Sequence, residues 1–245
     1  MTWARMAVLG AVLGAVVLMV SSPAAAVLYQ CDFETYEGYS TGALAGQNGW
    51  LADEDTVVQT ALASSGLQAL EMVAHKAEYT GFFDLMAMRS LVGVPGADPV
   101  IAISQDVRLS ARDDADWRVS TFYGLFLTET NRVHFDGGGD ILVNNVDTGY
   151  DWAVDSWQTL DMVLDFDAGQ MDVFYGGTLV ANDVEFMGSN AGVSALMVST
   201  DNNVSGSSTM YYDNLKVGVI PEPAATGLGL VAAALAALWD RRRRS

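Results

Sequence analysis

Hydrophobic residues recur at every second position in two segments of this chain, and this spacing limits the possible folds more than any other feature. The segments are 100–110 and 160–167. The apolar members of the pattern are Ile101, Ile103, Val107 and Leu109 in the first segment, and Leu160, Met162, Leu164 and Phe166 in the second. Because successive side chains of a β-strand point to opposite faces, both segments are predicted to be strands with one buried face.

Short turn-forming sequences separate segments of this kind. They combine glycine with aspartate or with a second glycine, at 136–140, 147–149, 167–170 and 176–177. Glycine adopts positive φ angles and an aspartate side chain bonds to nearby backbone N–H groups, so these sequences favour turns. Residues 27–220 contain no convincing amphipathic helical pattern. The sequence therefore predicts an all-β fold, an antiparallel β-sandwich of many short strands.

The final segment, residues 221–245, differs in composition from the residues before it. A mostly apolar run occupies 224–239 and would rise about 24 Å as a helix, slightly less than the roughly 30 Å hydrocarbon core of a bilayer. The flanking residues are Pro221, Glu222 and Pro223 before the run, and Arg241, Arg242, Arg243 and Arg244 after it. The prolines block extension of a helix towards the N-terminus. The arginines favour a cytoplasmic end, which predicts an exported position for the residues before the prolines.

A Pro-Glu-Pro box, one hydrophobic helix and an arginine cluster, in this order, resemble the PEP-CTERM sorting signal of exported proteins from Gram-negative bacteria that make exopolysaccharide. The family is also called the ice-binding-protein C-terminal domain. The resemblance implies that an exosortase, a membrane transpeptidase, recognises residues 221–245 and removes the tail, so that membrane insertion is transient. A plain C-terminal membrane anchor is the alternative.

The N-terminus also predicts export. Arg5 precedes an apolar run at 6–20, and Ala24 and Ala26 supply the small residues that signal peptidase requires. The sequence therefore predicts a signal peptide at residues 1–26. A lipoprotein signal is excluded because bulky residues, 28–30, precede the single cysteine.

Residues 27–220 are predicted to form one domain with a strongly acidic surface. They contain seven Lys and Arg residues against 28 Asp and Glu residues, a net charge of −21. This charge opposes binding to nucleic acid, anionic lipid and acidic polysaccharides, and leaves neutral glycans and divalent cations as open ligands. With one cysteine the chain has no intrachain disulfide, and Cys31 is predicted to be a buried small residue.

Three segments carry a second resemblance. Residues 157–180, 210–218 and 32–50 resemble the central hairpins, the last strand and the first strand with its loop in laminin-G-like, concanavalin-A-like jelly rolls. The resemblance implies this sandwich fold, with the first and last strands as neighbours, and leaves the activity open.

The same resemblance implies a metal site at the ends of the domain. An aspartate in the last strand of such sandwiches often helps to hold a structural calcium, which here would place Asp213 as a ligand with Asp32 or Glu34 as its partner. Carboxylate oxygens suit calcium and no softer metal. The alternative is that Asp213 only bonds to loop backbone.

Catalytic carboxylates are not expected. Asp165 and Asp167 would lie about 7 Å apart on one strand face, a separation that inverting glycosidases use. Acidic side chains on a solvated face lack the desolvation that raises the pKa of a general acid. The Glu-x-Asp-x-Glu strand of the glycosidases that share the resembled fold is absent, since residues 130–184 contain no glutamate.

Polysaccharide lyases of that fold use a histidine, a tyrosine and arginines on one sheet. The available residues are His75, His134, Arg118 and Arg132, and the arginines lack the arginine-x-glutamate pattern. A lone histidine in a strand is more often structural, so this chemistry is not expected either.

A ligand platform is predicted after the turn at 147–149. Tyr150, Asp151 and Trp152 combine aromatic rings with a group that bonds hydroxyls, and an exposed Trp is a usual platform for a pyranose ring. Trp50 and Trp157 are predicted to lie in the core. Together these features predict an exported cell-surface or extracellular-matrix protein with a non-catalytic binding or structural β-sandwich. The alternative is a secreted glycosidase or polysaccharide lyase.

Overall fold

The computed structural model describes residues 26–53, 55–74, 85–91, 100–113, 115–124, 128–188, 191–200 and 208–220. Residues Val27–Val219 belong to one compact unit. Ala24 of the predicted signal peptide and the whole predicted sorting signal, 221–245, lie outside the described residues, and Ala26 is the first residue of the first strand. Within the described ranges, no helix has the length and apolar character needed to cross a membrane.

The described residues form sixteen strands, with two short 3-10 helices at Thr35–Glu37 and Gln47–Gly49. In chain order the strands are β1 Ala26–Cys31, β2 Gly42–Ala43, β3 Trp50–Ala52, β4 Val57–Gln59, β5 Ala69–Val73, β6 Leu85–Ser90, β7 Val100–Leu109, β8 Trp117–Tyr123, β9 Thr128–Phe135, β10 Asp140–Val143, β11 Val146–Asp151, β12 Gln158–Asp165, β13 Gln170–Tyr175, β14 Thr178–Glu185, β15 Ala195–Thr200 and β16 Thr209–Val219.

The strands form two sheets that pack face to face. The larger sheet has nine strands in the order β14-β13-β12-β7-β16-β5-β4-β2, with β1 also paired to β16. The smaller sheet has seven strands in the order β11-β10-β9-β8-β15-β6-β3. The ladders run antiparallel, as in β7 with β12 and β16, and in β8 with β9 and β15. The predicted antiparallel sandwich is confirmed, and so is the contact between its first and last strands.

The alternation in β7 and β12 decides which side chains enter the core. Every second residue of β7, from Ile101 to Leu109, is buried, and Leu160, Met162 and Leu164 of β12 are buried in the same way. The predicted period of two is therefore confirmed. A polar residue, Gln105, shares the buried side of β7 and accepts a hydrogen bond of 2.5 Å from the Tyr212 hydroxyl.

The strand β12 ends earlier than its pattern suggests. Asp165 is its last residue, and Asp167 lies in the turn that leads to β13. The Asp165 carboxylate accepts the N–H of Ala168 at 2.8 Å, which stabilises this turn. The expectation that Asp165 and Asp167 share one strand face is therefore wrong.

The only cysteine lies in an aromatic corner of the core. Cys31 donates to the Tyr39 hydroxyl at 3.1 Å, and that oxygen also accepts the indole N–H of Trp50 at 2.8 Å. Burial raises the pKa of the Cys31 thiol to about 11, so the reactive thiolate is rare at neutral pH. The predicted buried positions of Cys31 and Trp50 are confirmed.

Candidate functional site

The outer face of the larger sheet, which points away from the smaller sheet, carries an arginine between two aromatic residues. In the register of β7 with β16, Arg108 lies opposite Tyr211. In the register of β7 with β12, Val107 pairs with Gln158, which puts Trp157 beside Arg108 on the other side. We call Tyr211, Arg108 and Trp157 the aromatic row.

The members of the aromatic row touch one another and remain partly exposed. The ring centroids of Trp157 and Tyr211 lie 6.4 Å apart, and the Arg108 guanidinium carbon lies 5.7 Å from the Tyr211 centroid. Arg108 also forms an ion pair of 2.5 Å with Asp155. The indole Nε1 of Trp157 and the Nε of Arg108 are buried donors without a hydrogen-bond partner. The row therefore combines ring faces with unused N–H groups.

A second set of side chains lies next to the aromatic row, two residues further along the same strands. Asp106 lies opposite Asp213 on one side and Thr159 on the other. Its carboxylate accepts hydrogen bonds from the Thr159 hydroxyl at 2.8 Å, the Ser64 hydroxyl at 2.6 Å and the Asn214 amide at 2.7 Å. We call Asp106, Thr159, Ser64 and Asn214 the polar row.

Asp213 is fully buried and holds the loop between β4 and β5. Its Oδ2 accepts the backbone N–H groups of Ser64 at 2.9 Å and Ser65 at 3.1 Å, and its Oδ1 accepts the N–H of Asn214 at 2.8 Å. Burial raises the pKa of Asp213 to about 6, because the loss of hydration outweighs the three N–H donors that favour the charged form.

Glu34 holds the other end of the same loop. Its buried carboxylate accepts the backbone N–H groups of Leu67 at 2.5 Å and Gln68 at 2.9 Å. Residues 64–68 are thus fixed by two carboxylates: that of Glu34, which follows β1, and that of Asp213 in β16. We call this arrangement the loop anchor. It stabilises the loop that supplies Ser64 to the polar row.

The structure does not gather the three predicted calcium ligands. Asp32 accepts the Tyr36 hydroxyl at 2.9 Å, whereas Glu34 and Asp213 are occupied by the loop anchor. In the part of the chain that the structure describes, no group of three or more His, Cys, Asp or Glu residues is placed to hold a metal. The geometry shows contacts of Asp213 and Glu34 to loop backbone, and calcium binding stays a prediction.

The predicted ligand platform at Tyr150, Asp151 and Trp152 is wrong for its tryptophan, which is buried. Trp152 is 1% exposed and donates its indole N–H to the carbonyl of Asp136 at 2.9 Å. The Arg112 guanidinium lies 5.3 Å from the Trp152 ring and pairs with Asp151 at 3.1 Å. Tyr150 is 44% exposed. Packing under these side chains leaves no free face of Trp152 for a sugar.

Three of the residues considered for lyase chemistry, Arg118, Arg132 and His134, lie on the smaller sheet. Arg118 of β8 lies opposite His134 of β9, and Arg132 lies two residues before His134. His134 Nε2 lies 3.4 Å from Asp116 Oδ2, a distance at which the two groups pair when the imidazole is protonated. His75 lies outside the described residues. Three of the four side chains thus share the outer face of one sheet.

Trp157 lies on the outer face of a sheet, whereas Trp152 is buried. Trp157 was predicted in the core, although its odd number opposes the buried even-numbered set Leu160, Met162 and Leu164. Extending the period of two back by three residues would have placed Trp157 on the outer face. No local signal marks the burial of Trp152, because Asp136 and Arg112 come from other parts of the chain.

No family model and no curated protein matches this chain. Similar solved structures include a protein named "Sialidase", with a TM-score of 0.58 and 11% identity over 78% of this chain. "Cellulose induced protein, Cip1" has a TM-score of 0.52 and 13% identity, covering 77% of this chain and 96% of that protein. A structure of botulinum neurotoxin type C has a TM-score of 0.52 and 7% identity over 84% of this chain. This chain spans 18% of the sialidase and 51% of the neurotoxin chain, so the shared feature is the sandwich fold.

Proposed function

We propose that this chain is an exported cell-surface or extracellular-matrix protein whose β-sandwich binds a neutral glycan without cleaving it. The observation that carries the proposal is the aromatic row beside the polar row on the outer face of the larger sheet. Trp157 and Tyr211 are partly exposed and offer ring faces to the C–H groups of a sugar, with the Arg108 side chain held between them.

The polar row supports binding rather than catalysis. Both oxygens of the Asp106 carboxylate already accept side-chain hydrogen bonds, which hold Thr159, Ser64 and Asn214 in fixed positions. Fixed hydroxyl and amide groups beside an aromatic ring suit recognition of sugar hydroxyls. A general acid instead needs a proton-donating group free to reach a glycosidic oxygen.

A neutral ligand fits the charge of the domain. The net charge of −21 over residues 27–220 repels polyanions at long range. The fold is shared with a sialidase and with a neurotoxin whose cell entry depends on interaction with two ganglioside molecules, and both names concern glycans. These likenesses support a glycan ligand only in a general way, because the identities are 11% and 7%.

Export is proposed from the two terminal segments. Signal peptidase would cleave after Ala26, and an exosortase would recognise Pro221, Glu222 and Pro223 and remove the arginine tail. Intact-mass measurement of exported protein tests this step. A mass that lacks the residues after this region supports it, whereas a chain that still carries Arg241 to Arg244 would support the plain membrane anchor.

Binding and cleavage are tested together on a glycan array, with release of reducing ends measured on the same glycans. We expect binding without release, and we expect Trp157→Ala and Tyr211→Ala each to weaken it up to about tenfold, since stacking on a ring is worth up to roughly 1.5 kcal/mol. Tyr36→Ala is the matched control, because this tyrosine is 76% exposed outside the aromatic row. Unchanged binding in the Trp157 and Tyr211 variants overturns the site, and release of reducing ends supports the alternative, a glycan-cleaving enzyme.

A further inference from the structure

The outer face of the larger sheet carries a further row of side chains beyond the polar row. Two residues further along the strands, Asp161 of β12 lies opposite Ser104 of β7, and Ser104 lies opposite Lys216 of β16. On the other side of Asp161, the register of β12 with β13 places Phe174. These four side chains point outward, because their neighbours in sequence are buried. We call Phe174, Asp161, Ser104 and Lys216 the third row.

The polar groups of the third row are open to solvent and are not used by the fold. Lys216 is exposed, and Asp161 and Ser104 are partly exposed. Within the residues that the structure describes, none of these three side chains makes a hydrogen bond or an ion pair. Asp165 and Asp172, on the same face of β12 and β13, instead accept backbone N–H groups, each at 2.8 Å. Asp161 is therefore a carboxylate of this face that is left to accept hydrogen bonds from a ligand.

An apolar surface adjoins these polar groups. The Phe174 ring is partly exposed, and Leu179 of β14, directly opposite it, is 41% exposed. Opposite residues of paired strands have Cβ atoms about 5 Å apart, so the two side chains form one apolar patch. The third row thus places a ring beside open hydrogen-bonding groups, as the aromatic and polar rows do together.

The third row lies in line with the aromatic row. Arg108 of the aromatic row and Ser104 of the third row are four residues apart in β7, which separates the two rows by about 13 Å. The polar row lies between them, and its side chains are held in place by the Asp106 carboxylate. The rings of Trp157 and Phe174 therefore lie at opposite ends of a surface that is longer than one sugar ring.

We propose that the aromatic, polar and third rows together bind a linear neutral oligosaccharide, with Phe174 as a second ring platform. This inference rests on the proposed glycan site and names its ligand class, a chain of several sugars rather than a single terminal sugar. Asp161 accepts hydrogen bonds from sugar hydroxyls, and Lys216 donates to sugar oxygens. The C–H groups of one sugar pack on Phe174 while another sugar occupies the aromatic row.

The charge of the third row fits a neutral chain. Its one carboxylate and one ammonium group, those of Asp161 and Lys216, sum to zero and do not pair with each other. An anionic sugar would be repelled by Asp161, and a cationic sugar by Lys216. A neutral sugar meets one acceptor and one donor without repulsion, so the row discriminates against charged chains.

Calorimetric titration of the purified full chain with sugars of two lengths tests the proposal. The probes are cellobiose and cellohexaose, laminaribiose and laminarihexaose, and the disaccharide and hexasaccharide of N-acetylglucosamine. We expect at least one of the three series to bind. In that series the hexasaccharide should bind about tenfold more tightly than the disaccharide, because only the longer chain reaches both ring platforms.

Variants of the two platforms should separate their contributions. Phe174→Ala is expected to reduce the affinity for the hexasaccharide about tenfold, to that for the disaccharide, and to leave disaccharide binding unchanged. Trp157→Ala should weaken binding of both lengths. Phe174→Leu keeps an apolar contact with Leu179 but removes the ring, so it should give the same loss and decides the matter if Phe174→Ala fails to fold. Tyr36→Ala, which removes an exposed ring outside the three rows, should bind like wild type.

Variants of the polar groups test the third row without changing its packing. Asp161→Asn and Lys216→Gln should each weaken hexasaccharide binding about threefold and leave disaccharide binding unchanged. Asp165→Asn is the matched control, because Asp165 lies in the same strand and bonds to the turn after it. We expect this control to bind both lengths as wild type does.

The outcomes separate failure of the third row from failure of the proposed glycan site. Equal affinity of wild type for both lengths, or a gain with length that survives Phe174→Leu, overturns the second platform and leaves the aromatic row in place. Absence of binding in all three series, or disaccharide binding that Trp157→Ala does not weaken, overturns the glycan site and the longer surface with it. A wild-type dimer in sedimentation that Phe174→Leu dissociates would also overturn the proposal, since it would assign the third row to contact between copies of the chain.

Discussion

The outer faces of the two sheets have the same pleated geometry and opposite chemistry. On the larger sheet, three carboxylates accept hydrogen bonds that fix other parts of the chain. Asp213 and Glu34 hold a loop, and Asp106 holds the polar row. On the smaller sheet, carboxylates pair with basic side chains, as Asp116 does with His134. The residues that the period of two excludes from the core therefore decide the chemistry of each outer face.

The two faces are expected to differ most in what an anchoring carboxylate contributes to stability. Glu34→Ala leaves the buried N–H groups of Leu67 and Gln68 without an acceptor, which we expect to lower the free energy of unfolding by about 3 kcal/mol. Glu129→Ala on the other face removes a partly exposed ion pair with Arg132, in which no buried backbone N–H loses its acceptor, and is expected to cost about 1 kcal/mol. Urea unfolding measures both, and equal losses would show that Glu34 contributes no more to stability than Glu129 does.

A glycine inside the loop anchor tests how closely that loop is packed. Gly66 has a φ of +64°, and a Cβ there would clash with Glu34 Oε1 and lie 2.9 Å from its Cδ. We expect Gly66→Ala to lower the free energy of unfolding by about 2 kcal/mol through backbone strain and displacement of the carboxylate. Gly177, with a φ of +76° and open space around it, is the matched control. Gly177→Ala should lower the free energy of unfolding only through the strain of its positive φ angle, by about 1 kcal/mol. A Gly66 variant no less stable than this control would contradict the anchor.

The period of two in the sequence predicts much of the fold but does not predict the contacts of the loop anchor. The alternation at 100–110 and 160–167 identifies β7, β12 and their buried sides, because it depends only on neighbouring residues. Glu34 meets residues 67–68, and Asp213 meets residues 64–65 nearly 150 positions earlier in the chain. Such contacts depend on the order of strands in the sheets. The jelly-roll resemblance therefore singled out Glu34 and Asp213 as calcium ligands, but nothing in the sequence indicated that they bind the backbone of a loop.

The two faces should also respond to pH with opposite signs. The pKa of Asp213 is raised from 3.8 to about 6, so the folded state favours its protonated form. Its stabilising contribution is fully present below about pH 4 and is lost as the pH rises through 6. The pKa of Asp116 is lowered, so its contribution is present above about pH 4 and is lost as the pH falls further.

Melting curves of Asp213→Asn and Asp116→Asn measure these contributions against wild type. Between pH 4 and 7, wild type should lose stability relative to Asp213→Asn. Between pH 3 and 5, wild type should gain stability relative to Asp116→Asn. Two differences with the same sign would show that the carboxylates do not have the environments described.

The smallest effect is expected from calcium. Because the loop anchor already occupies Glu34 and Asp213, millimolar calcium and magnesium should raise the melting temperature equally, by screening the charge of the domain. A larger rise with calcium that Asp213→Asn abolishes would establish the calcium site that the jelly-roll resemblance implies.

Nuclear magnetic resonance of the indole N–H groups tests the neutral glycan site most directly. The Trp157 N–H has no partner, whereas those of Trp50, Trp117 and Trp152 donate to protein oxygens inside the structure. Titration with a neutral oligosaccharide that binds the chain should shift the Trp157 signal and leave the other three in place. Binding that leaves the Trp157 signal unmoved, or shifts all four equally, would contradict a glycan site on the aromatic row.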